Sequence, residues 1–279
     1  MRVGWSFLLL ALQGPVALAQ ETSPPMCYNG ADSTPPVTVG LPQGYQVELR
    51  LQPDSLEPGM CTATIRNPHD SVVWKAEGFG TSVDQWTGHD VDGDGEADAV
   101  IGVDTGGGNR CCCGFFILRF TPAFKVVEWW MFTPFFDLDE QGRTLIWEVV
   151  PYYSLGPDMA SSPTVVRVYQ FRNGLLADIT LERCDQILSR SPGGQGNILG
   201  RAEEWELVTP DRLAASREAQ EVTSDVLETR VAVISLVLQH LACGRPDDAR
   251  GLVERAWGSA EASQQWTRLR AEWEATSDR

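Results

Sequence analysis

The chain has 279 residues, 43% of them hydrophobic and 22% charged, with 26 glycines and 17 prolines. That composition excludes wholesale disorder and a collagen-like rod, and the length can bury a real core in one large domain or two small ones. The formal net charge of −16 excludes the electrostatic footprint of a nucleic-acid binder or of a protein held on an anionic membrane surface. It suits a soluble chain or a binder of cations.

Residues 1–19 read as a secretory signal peptide, with Arg2 as the basic start, Val3 to Leu12 as the apolar stretch and Ala17-Leu18-Ala19 as the cleavage site. The alternative, a membrane anchor, requires a longer apolar run to cross a ~30 Å hydrocarbon core. No later run approaches the roughly 18 apolar residues of a span, so the mature chain is expected to be secreted or periplasmic and to carry no membrane span. In an oxidising compartment the seven cysteines, Cys27, Cys61, Cys111, Cys112, Cys113, Cys184 and Cys243, read as a disulfide framework with at least one thiol left over. The triplet Cys111-Cys112-Cys113 is expected to enter such bridges, because neighbours on a strand point to opposite faces. The pairing itself is not legible.

Residues 20–44, rich in Pro and Gly, read as an arm. Residues 45–188 have the texture of antiparallel β-structure. Short β-branched or aromatic runs recur at Tyr45–Leu51, Ser71–Ala76, Ala97–Val103, Phe115–Phe120, Lys125–Trp130, Thr144–Val150, Thr164–Phe171 and Leu175–Leu181. The connections between them are too short for crossover helices, and Arg172-Asn173-Gly174 has the chemistry of a hairpin turn. Residues 189–209 read as a linker, and 210–279 as a helical region. Leu213 to Cys243 is one long helix or a kinked pair, with Val226, Leu227, Val231, Ile234, Leu238 and Leu241 as its apolar stripe. A second helix carries Ala249, Leu252, Val253, Ala256 and Trp257 on one face, and a third carries Trp266, Leu269 and Trp273. The fold class is therefore α+β: an antiparallel β module, built as partial propeller-like blades or a small sandwich, followed by C-terminal helices.

One segment carries chemistry. Asp90, Asp92, Asp94 and Asp98 stand at positions 1, 3, 5 and 9 of a loop, with Gly93 and Gly95 between them and Glu96 at position 7. Alternate carboxylates in a tight loop converge on one side, which is the oxygen-rich cage that Ca²⁺ requires. Without a cation such a group repels itself. From Thr81 to Asp104 there are seven acids and no Lys or Arg. An EF-hand is excluded, because position 12 is Ile101 rather than a bidentate Glu and the loop runs into a strand.

Phe79-Gly80-Thr81-Ser82-Val83, the Asp loop, then Ala99-Val100-Ile101-Gly102 and the Gly106-Gly107-Gly108 turn together resemble one FG-GAP (VCBS-like) repeat. Such repeats are the calcium-loop blades of integrin-type β-propellers and of many bacterial exported proteins. The resemblance spans 79–120. It implies Ca²⁺ held by the side chains of Asp90, Asp92, Asp94 and Asp98 and by the carbonyl of Glu96. Phe135 to Gly142 looks like a decayed second copy, with Asp137 and Asp139 at its first and third positions. A closed propeller does not fit, because 45–188 holds only two or three blades.

No GxSxG, HExxH or GxxxxGKS motif occurs, and His69, His89 and His240 lie far apart. Glu148 with Asp158 is one carboxylate pair among many. Trp129-Trp130, Phe135-Phe136 and Tyr152-Tyr153 read as core, or as a platform for a sugar or peptide. No catalytic residue is assigned. The expected function is a calcium-stabilised module that binds a protein, an envelope component or a carbohydrate. The alternative is an extracellular hydrolase or lyase with a site assembled from scattered acids.

Overall fold

A computed structural model describes residues 25–28, 36–52, 60–106, 113–131, 135–155, 162–172, 174–188, 207–219 and 221–276. The strands are β1 (Met26–Tyr28), β2 (Val37–Gly40), β3 (Gln46–Gln52), β4 (Met60–Arg66), β5 (Val72–Gly78), β6 (Gly80–Val83), β7 (Ala99–Asp104), β8 (Cys113–Arg119), β9 (Lys125–Met131), β10 (Phe135–Leu138), β11 (Thr144–Pro151), β12 (Thr164–Arg172) and β13 (Leu175–Asp178). They form three antiparallel sheets, ordered β2-β3-β4-β5, β1-β6-β7-β8-β9 and β10-β11-β12-β13. None closes into a barrel among the described residues.

The sheets stack in chain order, and each interface is a separate apolar layer. Val47, Leu49 and Ile65 of the first sheet meet Ile101, Phe116 and Leu118 of the second. On the opposite face of the second sheet, Val100 and Ile117 meet Phe136 and Ile146 of the third. This explains the sequence of β7, whose Ala99-Val100-Ile101-Gly102-Val103 is buried without a break. A strand covered on both faces reads as a continuous apolar run, not an alternation.

The two ends of the stack are finished differently. The outward face of the first sheet is polar, with exposed ion pairs Glu48–Arg50 and Lys75–Glu77. The far face of the third sheet, Leu145, Trp147, Val166 and Val168, is covered by Ile179 and Ile187, the latter on α1 (Cys184–Leu188). Beyond it lie α2 (Pro210–Glu218), α3 (Ser224–Ala242), α4 (Pro246–Ala256) and α5 (Ser259–Thr276). Thr209 and Thr223 accept the Arg212 and Val226 amides as N-caps, and Pro246 sits in the first turn of α4, which are ordinary helix-start devices. The expected kinked pair is thus two helices, α2 and α3.

Helix α3 also closes an open sheet edge. Strand β13 pairs β12 only from Tyr169 to Arg172, so the earlier half of β12 presents unpaired backbone groups on that side. The Thr164 amide donates to Ser235 Oγ at 3.1 Å, and the Val166 amide to Gln239 Oε1 at 2.7 Å. Gln239 Nε2 returns a bond to the Val166 carbonyl at 3.1 Å. Thr180 Oγ1 accepts the Val168 amide at 3.0 Å. Capping an edge with side chains satisfies buried backbone groups that would otherwise cost free energy. It also corrects the expected stripe on α3 in part: Leu238 is buried and Ile234 and Leu241 pack against the core as expected, but Leu227 is exposed, and Ala232, Val233, Ser235, Leu236, Val237 and Gln239 are buried as well. The expected faces of α4 and α5 are found: Leu252, Val253, Trp257 and Leu269 are buried in the helical core, with Trp266 and Trp273 packed against it.

Among the described residues, two disulfides hold these parts. Cys27–Cys61 joins β1 to β4, and Cys184–Cys243 joins α1 to the C-cap of α3. Cys111, Cys112 and the side chain of Cys113 lie outside the described residues, and the expectation for the triplet lies there with them. The Pro- and Gly-rich stretch 20–44 is not a bare arm, since it contains β1 and β2. Its 1–19 neighbour and most of the 189–209 linker lie outside the described residues.

Replacing Gln239 by Leu leaves the buried Val166 amide and carbonyl unpaired on that edge. The expected cost is about 2 kcal/mol in chemical denaturation. A variant as stable as the parent would show that the edge capping contributes nothing.

Candidate functional site: an acidic loop with an arginine in it

The Asp loop joins β6 to β7 and is folded by its own carboxylates. Asp90 Oδ1 accepts the amides of Gly93 at 2.7 Å and Asp94 at 3.1 Å, and Asp90 Oδ2 accepts Gly95 at 2.9 Å. Asp92 Oδ1 accepts Asp94, and Asp94 Oδ1 accepts Glu96. Asp98 Oδ2 reaches back to the amides of Val91 at 2.9 Å and Asp92 at 3.2 Å. Each short carboxylate thus bonds the backbone two to seven positions away, the local competition with regular structure that Asp favours. Gly93 and Gly95 have φ of 78° and 94°, a left-handed backbone that a side chain would strain.

The loop is anchored on both sides. Asp98 N–H donates to the His89 carbonyl and Gly88 N–H to the Asp98 carbonyl, both at 2.8 Å. Val91 is buried in the layer between the second and third sheets, and Thr144 Oγ1 of β11 donates to the Asp90 carbonyl at 3.3 Å. Asp92 and Asp98 are buried, whereas Asp90 is exposed.

The structure brings together part of the expected ligand set. One carboxylate oxygen from each of Asp90, Asp92 and Asp98 lies within 4.8 Å of the others. Asp94 and Glu96 are turned to other partners. Asp94 Oδ2 receives Arg119 Nη2 at 2.8 Å, and Glu96 Oε2 receives Gln43 Nε2 at 3.2 Å.

Arg119 is the residue that the sequence did not point to. It stands at the end of β8, outside the segment without basic residues, and strand pairing returns it to the loop. Its Nε contacts Asp92 and its Nη2 contacts Asp94, with the side chain largely buried. One guanidinium faces four carboxylates, and the imbalance appears in the acidities. Burial and the neighbouring Asp92 push Asp98 up to about 7. Burial also raises Asp92 against the pull of Arg119, while the Arg119 hydrogen bond lowers Asp94. The donor set is hard oxygen, partly buried and short of positive charge, which fits Ca²⁺.

The third sheet has a turn at the matching position, between β10 and β11. Asp139 there is buried and surrounded by protein donors. It accepts the amides of Gln141 and Arg143, both at 2.9 Å, and bonds Gln170 Nε2 at 3.2 Å. Arg143 and Arg183 pair with its Oδ2 at 2.7 and 3.4 Å. Burial alone would raise this carboxyl; the Arg143 and other donors outweigh it and bring it to about 2. With these donors in place, its Oδ2 faces arginines where a second ion would have to bind, and Asp137 does not join it in a metal-binding group among the described residues.

The other singled-out residues are used in packing. His89 lies 5.1 Å from the Trp86 ring. Glu148 accepts the Tyr169 hydroxyl at 2.9 Å, and burial raises its pKa; Asp158 lies outside the described residues. Trp129 packs edge-on against Tyr169 at 4.8 Å, and Phe136 and Tyr152 are buried.

Comparison of the chain with protein-family models, curated proteins and solved structures found no match.

Asp139 gives a signed pH dependence. A carboxyl held at about 2, below its ordinary value of about 3.9, stabilises the fold fully above that ordinary value. The contribution is lost as pH falls from about 4 towards 2. Asp139→Asn is expected to lower stability at neutral pH by roughly 2 kcal/mol and to flatten the acid limb of a denaturation-versus-pH curve. An acid limb of unchanged slope would refute the assignment.

Proposed function

We propose that this is an exported protein, cleaved after Ala19, in which a Ca²⁺ ion held by the 90–98 loop stabilises a stack of β-sheets that serves as a binding module. The observation that carries the calcium reading is the convergence of Asp90, Asp92 and Asp98 oxygens within 4.8 Å on a loop already shaped by its own hydrogen bonds. Asp94 and the Glu96 carbonyl complete the proposed ligand set. Asp94 would exchange Arg119 for the ion, so Arg119 and Ca²⁺ compete for the same negative charge.

The FG-GAP-like reading draws support from position. The Asp loop connects two consecutive, paired antiparallel strands of one sheet, β6 and β7, and the Asp139 turn connects two such strands of the next, β10 and β11. Export draws support from the two disulfides, which persist in oxidising compartments. Among the described residues no helix is long and apolar enough to cross a membrane. Because the ion would sit beside Val91 and Thr144, its binding would brace the second sheet against the third. The module's own ligand is proposed to be an envelope component, a carbohydrate or a protein.

The test is thermal melting of the mature chain in millimolar-range Ca²⁺ and in chelator. Calcium is expected to raise the midpoint, as any ligand of the native state does. Asp92→Asn with Asp94→Asn should abolish the difference. Arg119→Gln removes the competitor, and should lower the midpoint in chelator while tightening Ca²⁺ binding by roughly tenfold, about 1.4 kcal/mol. Identical parent curves with and without calcium would overturn the metal reading.

A further inference from the structure

The helical region holds a trough that the calcium loop does not use. Two cavities, of about 380 and 400 Å³, lie side by side and share Arg217 of α2. The first is floored by Val208, Leu213 and Leu252, with Arg217 and Arg255 at its rim. The second is walled by Trp257 and Trp266, with Arg250 and Glu254. Both are open to solvent, so together they form a groove rather than an enclosed pocket.

The groove is preformed. Arg230 of α3 stacks over the Trp257 ring at 5.8 Å and donates to Ser216 Oγ and to the Ser216 carbonyl, both at 3.3 Å. These contacts tie α2, α3 and the end of α4 together and fix Trp257, which is almost fully buried. Ala262 and Leu269 of α5 complete the underlying core.

The charge in the groove is opposite to that of the chain. Three arginines line it against one acid, in a protein of net charge −16. Arg250 is paired with Glu254 at 2.9 Å. Among the described residues Arg217 forms an ion pair only with its chain neighbour Glu218, at 3.3 Å and on the surface, and exposed pairs of that kind hold little energy. Arg255 forms no ion pair among the described residues. Two guanidinium groups therefore stand over an apolar floor. Guanidinium recognises carboxylate bidentately, and arginine and tryptophan are the side chains enriched at interface centres. The overall negative field repels long polyanions, so only a ligand with a few acids and apolar side chains fits both the rim and the floor.

From this groove we infer a docking site for an extended segment of a partner protein in which acidic side chains alternate with apolar ones. The acids pair with Arg217 and Arg255, and the apolar side chains cover Leu213 and Leu252 on one side and Trp266 on the other. The inference shares with the proposed function only the premise that the protein binds a partner; the groove needs no calcium.

The test is fluorescence anisotropy with the full mature chain and a short fluorescein-labelled peptide of alternating Glu and Leu, in calcium and in chelator. Lys–Leu and Glu–Ser peptides serve as the comparison. The Glu–Leu peptide is expected to bind at least tenfold more tightly than either, equally in both buffers. Arg217→Glu with Arg255→Glu should abolish binding with an unchanged melting curve, and the Gln–Gln pair should weaken it partly. Absence of binding by the parent, as when residues 189–206 of the chain itself fill the groove, overturns the inference. So does equal binding by the Lys–Leu or Glu–Ser peptide, or by the charge-reversed variant. The calcium reading stands or falls separately on the melting curves.

Discussion

Four aspartates within nine residues must be compensated, and the middle of this molecule is arranged around that need. The carboxylates first satisfy the loop's own amides, which gives the loop one shape. The charge that remains draws Arg119 across from β8. The loop's Val91 is then fixed in the layer between the second and third sheets, and Thr144 holds the Asp90 carbonyl from the far side. Electrostatics in the loop and packing between the sheets are therefore one interaction seen at two distances. A change in the charge balance at Asp92 is transmitted to Val91 through the backbone between them.

The same problem has a different solution one sheet later. Asp139 is a single acid with two arginines and several other donors, and its acidity falls. Asp98 is one of several acids sharing one arginine, and its acidity is pushed up to about 7. The contrast follows from the ratio of cations to anions, since both carboxyls are buried in connections between paired antiparallel strands. A loop with excess negative charge attracts a further cation; a loop already saturated by guanidinium does not.

The sequence was legible where one residue type decides the local structure. The unbroken apolar run of β7, the Gly174 turn and the alternation of Asp and Gly in the loop each leave a signature within a few residues. It was silent where small or distant residues decide. Strand β4 buries Cys61, Ala63 and Ile65 on one face and Thr62 on the other, with Thr64 half-buried, too weak an alternation to stand out. Strands β1 and β2 are short and lie among prolines, and a disulfide and neighbouring strands hold them. Arg119 lies 25 residues from Asp94, and nothing local relates the two. The roles of Ser235 and Gln239 on α3 depend on the short β13, which ends before it can pair all of β12. A stripe of apolar residues on a helix says which side is greasy, and it cannot report that a polar side chain will be buried to complete a sheet.

The Cys184–Cys243 bond closes a covalent ring that runs from the start of α1 to the C-cap of α3. A peptide bond cut anywhere inside that ring yields two polypeptides that remain joined. The helices would keep their place on the β12 edge through the disulfide as well as through Ser235 and Gln239. After such a cut, separating α2 and α3 from α1 and the sheets requires a reductant as well as the nick. A preparation that runs as two bands after reduction can still have been a single folded particle before it.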